Sequence, residues 1–192
     1  MGIVYVVQHG EKQREPGDPG LTGLGRAQAL LAAKWLRAVD FTGVYASPLR
    51  RARQTAEAVA SLCGLPVRID TRLTERMNWD GTVSFEAFAS DWTRATADRD
   101  FIPAVGDSSR AAAERFGEFL AERSEEETVA VASHGGVTVD LLRTLMGDAA
   151  VPEALLRDGV PSGAITRIDG LEVVSVAAVG HLAGLETGHR PV

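Results

Sequence analysis

The sequence predicts an α/β fold: a three-layer sandwich with a mostly parallel central sheet, helices on both faces and a small helical cap insertion. Three observations favour this class. Strongly apolar runs recur along the chain, as buried parallel strands require. Segments with the apolar spacing of helices separate these runs. Glycines follow two of the helical segments, where a helix is expected to end.

The first part of the chain is expected to form three strands and two helices. Residues 3–7 are a continuous apolar run, followed by a loop rich in glycine and proline. Thr22 is placed to cap the first helix. After a second strand in FTGVYAS, Ser47 is expected to cap the next helix, with Pro48 as its first residue and Gly64 at its end. LPVRID predicts a third, short strand.

The rest of the chain continues this alternation, with one interruption. ETVAVASHGG predicts a fourth strand, VTVDLLRTLMG a helix ended by Gly147, and AITRID with EVVSVAAV a closing hairpin. Residues 78–105 break the rhythm and carry Phe85, Phe88 and Trp92 at helical spacing. They predict either a small helical cap over one edge of the sheet or an ordinary helical crossover.

Composition bounds the functions that the chain can have. Its 192 residues suit a single domain spanning 1–192, and a formal net charge of −6 argues against general binding of nucleic acid or anionic membrane. Any anion site must therefore come from a local cluster of cations. The single cysteine, Cys63, allows no internal disulfide and suggests a reducing compartment. With no signal peptide or membrane span in sight, we expect a cytoplasmic protein. Nothing indicates the oligomeric state.

Two histidines follow predicted central strands. His9 ends the first strand and His134 the fourth, and each is followed by glycine, including Gly135, which permits a sharp turn and close approach of a ligand. Because ligands bind beyond the carboxyl ends of strands in open α/β sheets, we expect both histidines to face one crevice. The alternative is two unrelated turn residues. His181 and His189, in a glycine-rich tail, are expected to have no role in the site.

Charged residues follow the second and third strands. Arg50, Arg51 and Arg53 fall in the first turn of a predicted helix, where the helix dipole disfavours cations unless they are solvated or an anion is bound. Adjacent helical positions diverge, so we expect two of the three to be solvated. Glu75 lies just beyond the third strand, and by itself it would be interpreted as surface charge.

These segments, taken in order, resemble the histidine phosphatase superfamily, the phosphoglycerate-mutase-like group. The resemblance covers most of the chain and rests on five segments: VVQHGEK…LTGLGRAQA, ASPLRRARQTAE, LTERMNWDG, GDSSRAAAERF and VASHGGV. It implies that His9 attacks phosphorus and becomes phosphohistidine, that Arg51 clamps the phosphoryl oxygens, and that His134 stabilises their charge. It implies that Glu75 protonates the leaving alcohol and later activates water, and that no metal or cofactor is needed.

The chain departs from the family pattern at position 8, where Gln8 replaces an arginine that forks onto the phosphate. Glutamine can donate a hydrogen bond but brings no charge. We expect Lys12 to supply the missing charge, with Arg76 or Arg14 as weaker candidates; a solvated loop lysine is the alternative. The attack also requires a neutral His9, with one ring nitrogen held by a partner such as a backbone carbonyl.

Two functions remain open at this point. The first is a phosphatase acting on a small phosphate monoester, with the substrate or inorganic phosphate as the only expected partner. The second is a catalytically weak or inactive relative that binds a phosphorylated ligand or partner, for which Gln8 is the main support. A mutase and a two-histidine metal site are less favoured, the latter because no carboxylate stands at ligand spacing.

Overall fold

The computed structural model describes residues 1–185, which form one six-stranded sheet covered by helices. The strands are β1 (Ile3–Gln8), β2 (Gly43–Ala46), β3 (Val67–Ile69), β4 (Thr128–Ser133), β5 (Ile165–Asp169) and β6 (Glu172–Ala178). The helices are α1 (Gly23–Leu36), α2 (Arg50–Cys63), α3 (Phe85–Ala97), α4 (Ser109–Ala121), α5 (Gly135–Met146) and α6 (Glu153–Asp158). None of the helices in this part of the chain is long and apolar enough to cross a membrane.

The strand order is β3-β2-β4-β1-β5-β6. The first four strands in this order pair in parallel, whereas β5 and β6 are antiparallel, as the predicted closing hairpin requires. The prediction of a mostly parallel sheet is therefore confirmed. In the pairing of β1 with β4, Gln8 lies opposite Ser133. The residues that follow these two, His9 and His134, consequently leave the sheet side by side.

Helices cover both faces of the sheet because side chains of a strand alternate between them. Val7 packs in a core cluster with Leu36 of α1 and with alanines of α2. Val4 and Val6 point to the other face and pack with Phe116 of α4 and with residues of α5. The predicted three-layer arrangement is thus confirmed.

Helix ends follow the predicted signals at three places. The Thr22 hydroxyl accepts a hydrogen bond from the Gly25 amide at 3.0 Å and caps α1. Gly64 ends α2 in the left-handed region, with φ of 68°. Gly147 follows the last residue of α5.

The predicted start of α2 is wrong by two residues. Ser47 does not cap the helix and Pro48 is not its first residue, because the helix begins at Arg50 after an extended Leu49. The Arg50 amide instead donates to the Asp18 carboxylate at 2.7 Å, so a distant loop supplies the anionic cap. Ser47 is thereby free for a contact in the site described below.

Residues 77–106 form a closed excursion between β3 and α4. The Asp107 amide donates to the Arg76 carbonyl at 2.8 Å, so the chain leaves and returns at one point. Within the excursion, Ser84 caps α3, and Phe88 packs with Met77 in a small core cluster of its own. The helix predicted within residues 78–105 therefore exists, and α4 makes the crossover on the sheet face.

Candidate active site

The imidazole rings of His9 and His134 lie together at the carboxyl edge of the sheet. Their centroids are 5.2 Å apart with an angle of 61° between the ring planes, and both side chains are buried. This placement follows from the register of β1 and β4, which sets the two residues on neighbouring strand ends. The structure thus brings into one crevice the two histidines that the sequence placed on separate strands.

Hydrogen bonds define the state of His9. Its Nδ1 lies 2.8 Å from the Gly10 carbonyl oxygen, which can only accept, so Nδ1 carries the proton and Nε2 keeps its lone pair. The Arg51 Nε donates to that Nε2 at 3.3 Å. Burial, and then the positive charge of Arg51, lower the pKa of His9 to about 3. The ring is therefore a neutral imidazole at physiological pH.

The turn after His9 is held against α1 and α2 by its backbone. The Gly10 amide donates to the Thr55 hydroxyl at 3.2 Å. A Cβ on Gly10 would lie 2.1 Å from the Gly25 carbonyl oxygen, so the turn and the start of α1 are in direct backbone contact. Glycine is required here by close approach, and the nucleophile candidate stands on a rigid support.

Arg51 is the one arginine of the α2 start that enters the crevice. It is buried, whereas Arg50 and Arg53 are exposed, in keeping with the expectation that two of the three are solvated. Its Nη2 donates to Asn78 Oδ1 at 3.1 Å, a contact that the sequence did not predict. Its buried Nη1 has no hydrogen-bond partner within residues 1–185.

His134 is oriented by a second unpredicted residue, Ser47. The His134 Nε2 lies 2.7 Å from the Ser47 hydroxyl, which itself accepts a hydrogen bond from the Leu49 amide at 3.3 Å. A hydroxyl can donate to Nε2 or accept from it, so this contact fixes the orientation of the His134 ring and not its tautomer. The His134 Nδ1 is buried and has no partner among the described residues. Burial, then the charge of Arg51, lower the pKa of His134 well below its usual value.

Glu75 is fastened to the start of α5. Its carboxylate accepts hydrogen bonds from the amides of Gly136 at 3.0 Å and Val137 at 2.8 Å, and from Arg76 at 2.7 Å. A Cβ on Gly136 would lie 2.5 Å from the Glu75 Oε1 and 2.8 Å from the Trp92 Cη2. Glycine at this position therefore allows the carboxylate and the indole to meet at the N-terminus of α5, next to His134.

The charge of Arg76 is balanced by the buried Asp140, which corrects the expectation that it could replace the arginine missing at position 8, and only its buried Nε has no hydrogen-bond partner within residues 1–185. Its Nη1 forms an ion pair with Asp140 at 3.0 Å, and its guanidinium carbon lies 4.4 Å from the Trp92 ring centroid. Its Nη2 donates to the Thr96 hydroxyl at 3.2 Å. Burial raises the pKa of Asp140 to about 6, against the opposing effect of Arg76. Asp140 was not predicted as a buried acid, because it lies among the apolar residues of α5.

Gln8 and Lys12 both line the crevice. Gln8 is buried, and its Nε2 would lie 3.7 Å from a Cβ on Gly135, so its amide borders the start of α5. Lys12 and Arg14 follow in the loop after β1 and line the same cavity, and neither forms an ion pair within residues 1–185. Burial, then the charges of Arg51 and Arg14, lower the pKa of Lys12.

A cavity of about 720 Å³ joins these groups to the excursion of residues 77–106. All the predicted site residues line it except His134, which is fully buried. Within the part of the chain that the structure describes, no group of three or more His, Cys, Asp or Glu side chains is arranged to hold a metal ion. His181 bonds to the Gly163 carbonyl away from the cavity, and His189 lies outside the described residues.

Comparison with known proteins supports the resemblance. The probable phosphoglycerate mutase GpmB of Erwinia tasmaniensis is 31% identical over 183 residues, covering 86% of this chain and 84% of that protein. The structure of Bacillus stearothermophilus YhfR matches with a TM-score of 0.72 at 26% identity, over 95% of this chain and 100% of that one. A mycobacterial glucosyl-3-phosphoglycerate phosphatase in complex with inorganic phosphate matches with a TM-score of 0.67 at 28% identity, over 87% and 89% of the two chains.

A family model settles the relationship. The model described as histidine phosphatase superfamily (branch 1) matches residues 4–171, a span that runs from β1 to the turn between β5 and β6 and includes every site residue described above. This chain belongs to the histidine phosphatase superfamily.

Proposed function

We propose that this protein is a phosphatase that hydrolyses a small phosphate monoester through a phosphohistidine on His9. The observation that carries the proposal is the state of His9: a neutral ring, with its Nδ1 proton on the Gly10 carbonyl and its Nε2 lone pair against Arg51. A histidine held in this way is a nucleophile beside a cation. Membership of a family that includes a phosphatase solved with inorganic phosphate supports the same conclusion.

The first chemical step forms a bond from His9 Nε2 to phosphorus and breaks the bond from phosphorus to the alcohol oxygen. For this to occur, the Arg51 Nε must turn from Nε2 to a phosphoryl oxygen. Glu75 gives its proton to the departing alcohol oxygen. Splitting one displacement into two through a covalent intermediate lowers the barrier of each.

In the second step, water attacks phosphorus, Glu75 takes the proton from that water, and His9 departs as neutral imidazole with its Nδ1 proton in place. Glu75 thus ends the cycle in the state in which it began. Inorganic phosphate is the second product, and no external acid or base is consumed.

Two buried donors are suited to the charge on the phosphoryl oxygens. Arg51 Nη1 and the Nδ1 of His134 both lie beside His9 and have no hydrogen-bond partner within residues 1–185. The proposal assigns the His134 proton to this Nδ1, with the Ser47 hydroxyl donating to Nε2. Buried donors without partners are rare in folded proteins, and an anion at His9 would satisfy both. The start of α5 adds the positive end of a helix dipole. Phosphoryl transfer depends mainly on such positioning and charge stabilisation.

One observation favours a second candidate, a weakly active or inactive member of the family that binds a phosphorylated ligand. The neutral Gln8 stands where the family pattern has arginine, and its Oε1 has no hydrogen-bond partner within the described residues. In this alternative the crevice still holds a phosphate but does not turn it over.

The test measures hydrolysis of 4-nitrophenyl phosphate, with and without a chelator, by wild type and by His9→Ala. We expect activity that survives the chelator and vanishes in His9→Ala, and a phosphorylated protein trapped by rapid alkaline quench in wild type alone. His181→Ala is the matched control, because His181 lies outside the cavity. Phosphate binding without turnover would support the second candidate, and loss of activity with the chelator would contradict the proposed mechanism.

A further inference from the structure

We infer that the part of the cavity beyond Glu75 is a subsite for an aromatic or apolar alcohol, with Trp92 as the surface on which the leaving group lies. The inference rests on the proposed phosphatase function and adds the chemical class of its substrate: a phosphate monoester whose alcohol is flat or apolar and carries no second anionic group.

The position of Trp92 relative to Glu75 is the first step. Both side chains approach the position that a Cβ on Gly136 would occupy. The indole Cη2 lies 2.8 Å from that position and the Glu75 Oε1 lies 2.5 Å from it. In the proposed mechanism, Glu75 contacts the oxygen of the departing alcohol. The carbon atoms attached to that oxygen therefore begin beside the indole, so the first group they meet is an aromatic ring.

The lining of the cavity beyond this point is the second step. The excursion of residues 77–106 contributes four aromatic side chains, including Phe85, which is 46% exposed and forms an edge-to-face pair with Trp79 at 5.3 Å. The excursion lines the cavity with Met77, Trp79, Phe85, Phe88 and Trp92. Further apolar side chains come from α5 (Val139), from α6 (Leu155 and Leu156) and from the loop after α6 (Val160). Such a surface lowers the free energy of an apolar ligand by removing its area from water.

The arginines that line the cavity near this apolar surface are all paired, which is the third step. Arg76 is bound to Asp140, and Arg143 donates to both carboxylate oxygens of Asp148 at 2.9 Å and to the Thr96 carbonyl. Arg157 is bound to Asp158 at 2.7 Å.

The cations without an ion pair lie elsewhere. Among the described residues that line the cavity, those with no such partner are Arg51, Lys12 and Arg14. Arg51 and Lys12 both act electrostatically on His9, and Arg14 acts on Lys12, so this charge belongs to the phosphate end.

These observations set an expected order of substrates. A carboxylate or second phosphate on the alcohol would lose its hydration beside Trp92 without gaining a cation. An aromatic group would instead stack on the indole and bury apolar area. For leaving groups of similar acidity, the aromatic alcohol should therefore be preferred.

The experiment compares kcat/KM for 2-phenylethyl phosphate, glycerol 3-phosphate and 3-phosphoglycerate. We expect the first to exceed the second by about 10-fold or more, and 3-phosphoglycerate to be the poorest. In Trp92→Ala the preference should fall by about 10-fold, whereas Trp92→Phe, which keeps a ring, should retain most of it. Trp35→Ala is the matched control, since Trp35 is an exposed tryptophan of α1 outside the cavity.

The outcomes separate the two proposals. If wild type forms phosphohistidine and hydrolyses glycerol 3-phosphate or 3-phosphoglycerate as well as 2-phenylethyl phosphate, the inference is overturned and the phosphatase function stands. If no ester is hydrolysed and no phosphohistidine forms, the proposed function fails first. Because Trp92 also stacks on Arg76, Trp92→Ala can fail to fold. In that case the ranking of the three esters by wild type alone tests the inference.

Discussion

The hydroxyl of Ser47 and the Nε2 of His134 lie 2.7 Å apart, and both side chains are completely buried. The two residues are 87 positions apart in the chain, and the parallel pairing of β2 with β4 brings them together. In the proposed mechanism, Ser47 donates to Nε2 and so keeps the His134 proton on Nδ1. Ser47 is therefore a positioning residue for a ring that faces His9.

Ser47→Ala tests this role. Without the hydroxyl, both tautomers of His134 become accessible, so we expect kcat/KM for a phosphate monoester to fall by about 10-fold. The specific readout is the ¹⁵N chemical shift of the His134 ring, which should report a single tautomer in wild type and a mixture in the variant. An unchanged tautomer together with unchanged activity would contradict the assignment.

The depressed pKa of His9 makes stability depend on pH in a defined direction. An unfolded histidine binds a proton below about 6.5, whereas native His9 does so only below about 3, so the unfolded state holds one more proton between these values. His9 therefore makes the free energy of unfolding decrease as the pH falls through this window. His134 acts in the same direction, and Asp140, with its pKa raised to about 6, opposes both.

His9→Asn removes one of these contributions. Urea denaturation at pH 4.5 to 6 should give a slope of unfolding free energy against pH that is smaller than in wild type by up to about 1.4 kcal/mol per pH unit. The slope is not affected by any pH-independent change that the substitution makes in the free energy of unfolding. Equal slopes in the two proteins would mean that His9 is protonated in the native state.

Lys12→Ala tests the source of the charge that Gln8 does not provide. Because Lys12 lines the cavity and influences His9 electrostatically, we expect kcat/KM to fall by about 10-fold. The chain has one other lysine, Lys34, which is exposed at the end of α1 and gives a matched control in Lys34→Ala. Equal activity of the two variants would identify Lys12 as a solvated loop residue.

Gln8→Arg tests whether the crevice is an impaired version of the family site. The new guanidinium would extend from beside Gly135 and add a charge-assisted contact to a phosphoryl oxygen, so we expect kcat/KM to rise by about 10-fold or more. A decrease would show that the crevice is adapted to glutamine and Lys12. Initial rates at several phosphate-ester concentrations separate a change in kcat from one in KM.

Glu75→Gln should affect substrates according to how much their leaving group needs a proton. For an alkyl phosphate we expect kcat/KM, which reports the formation of phosphohistidine, to fall by about 10²- to 10⁴-fold, and for 4-nitrophenyl phosphate by much less, because nitrophenolate leaves unprotonated. Thermal unfolding serves as the folding check, since the amide also loses one acceptor for Gly136 and Val137. Glu57→Gln, an exposed change on α2, should alter neither substrate. Equal losses for both esters would contradict the role as proton donor.

Local pattern was sufficient for most of the fold. The short apolar, β-branched runs around Val4 and Val131 form strands as predicted, and Gly64 and Gly147 follow helices where expected. The start of α2 could not be predicted, because its cap comes from Asp18 across the loop rather than from Ser47. The six-residue α6 is too short to show helical spacing.

The candidate site was predicted as far as strand ends could indicate it. His9 and His134 each follow the end of a strand, Arg51 lies in the first turn of α2, and Glu75 lies between β3 and α3. The residues that hold them, Ser47 on His134, Asn78 on Arg51 and Asp140 on Arg76, act over long sequence separations that no local period encodes. The sequence suggested that Arg76 could supply charge to a phosphate. It pairs with Asp140 instead, because a buried acid needs a partner.

The hydrogen bond between the Arg76 carbonyl and the Asp107 amide has an evolutionary and engineering consequence. A segment whose two ends meet can be lengthened, shortened or exchanged without parting the strands, since closing a longer loop costs little extra free energy. The histidines, Arg51 and Glu75 all lie outside this segment, whereas Trp92 lies within it. Replacing residues 79–106 of this segment as a cassette, with Asn78 kept in place on Arg51, is therefore a route to new substrate preferences on unchanged chemistry.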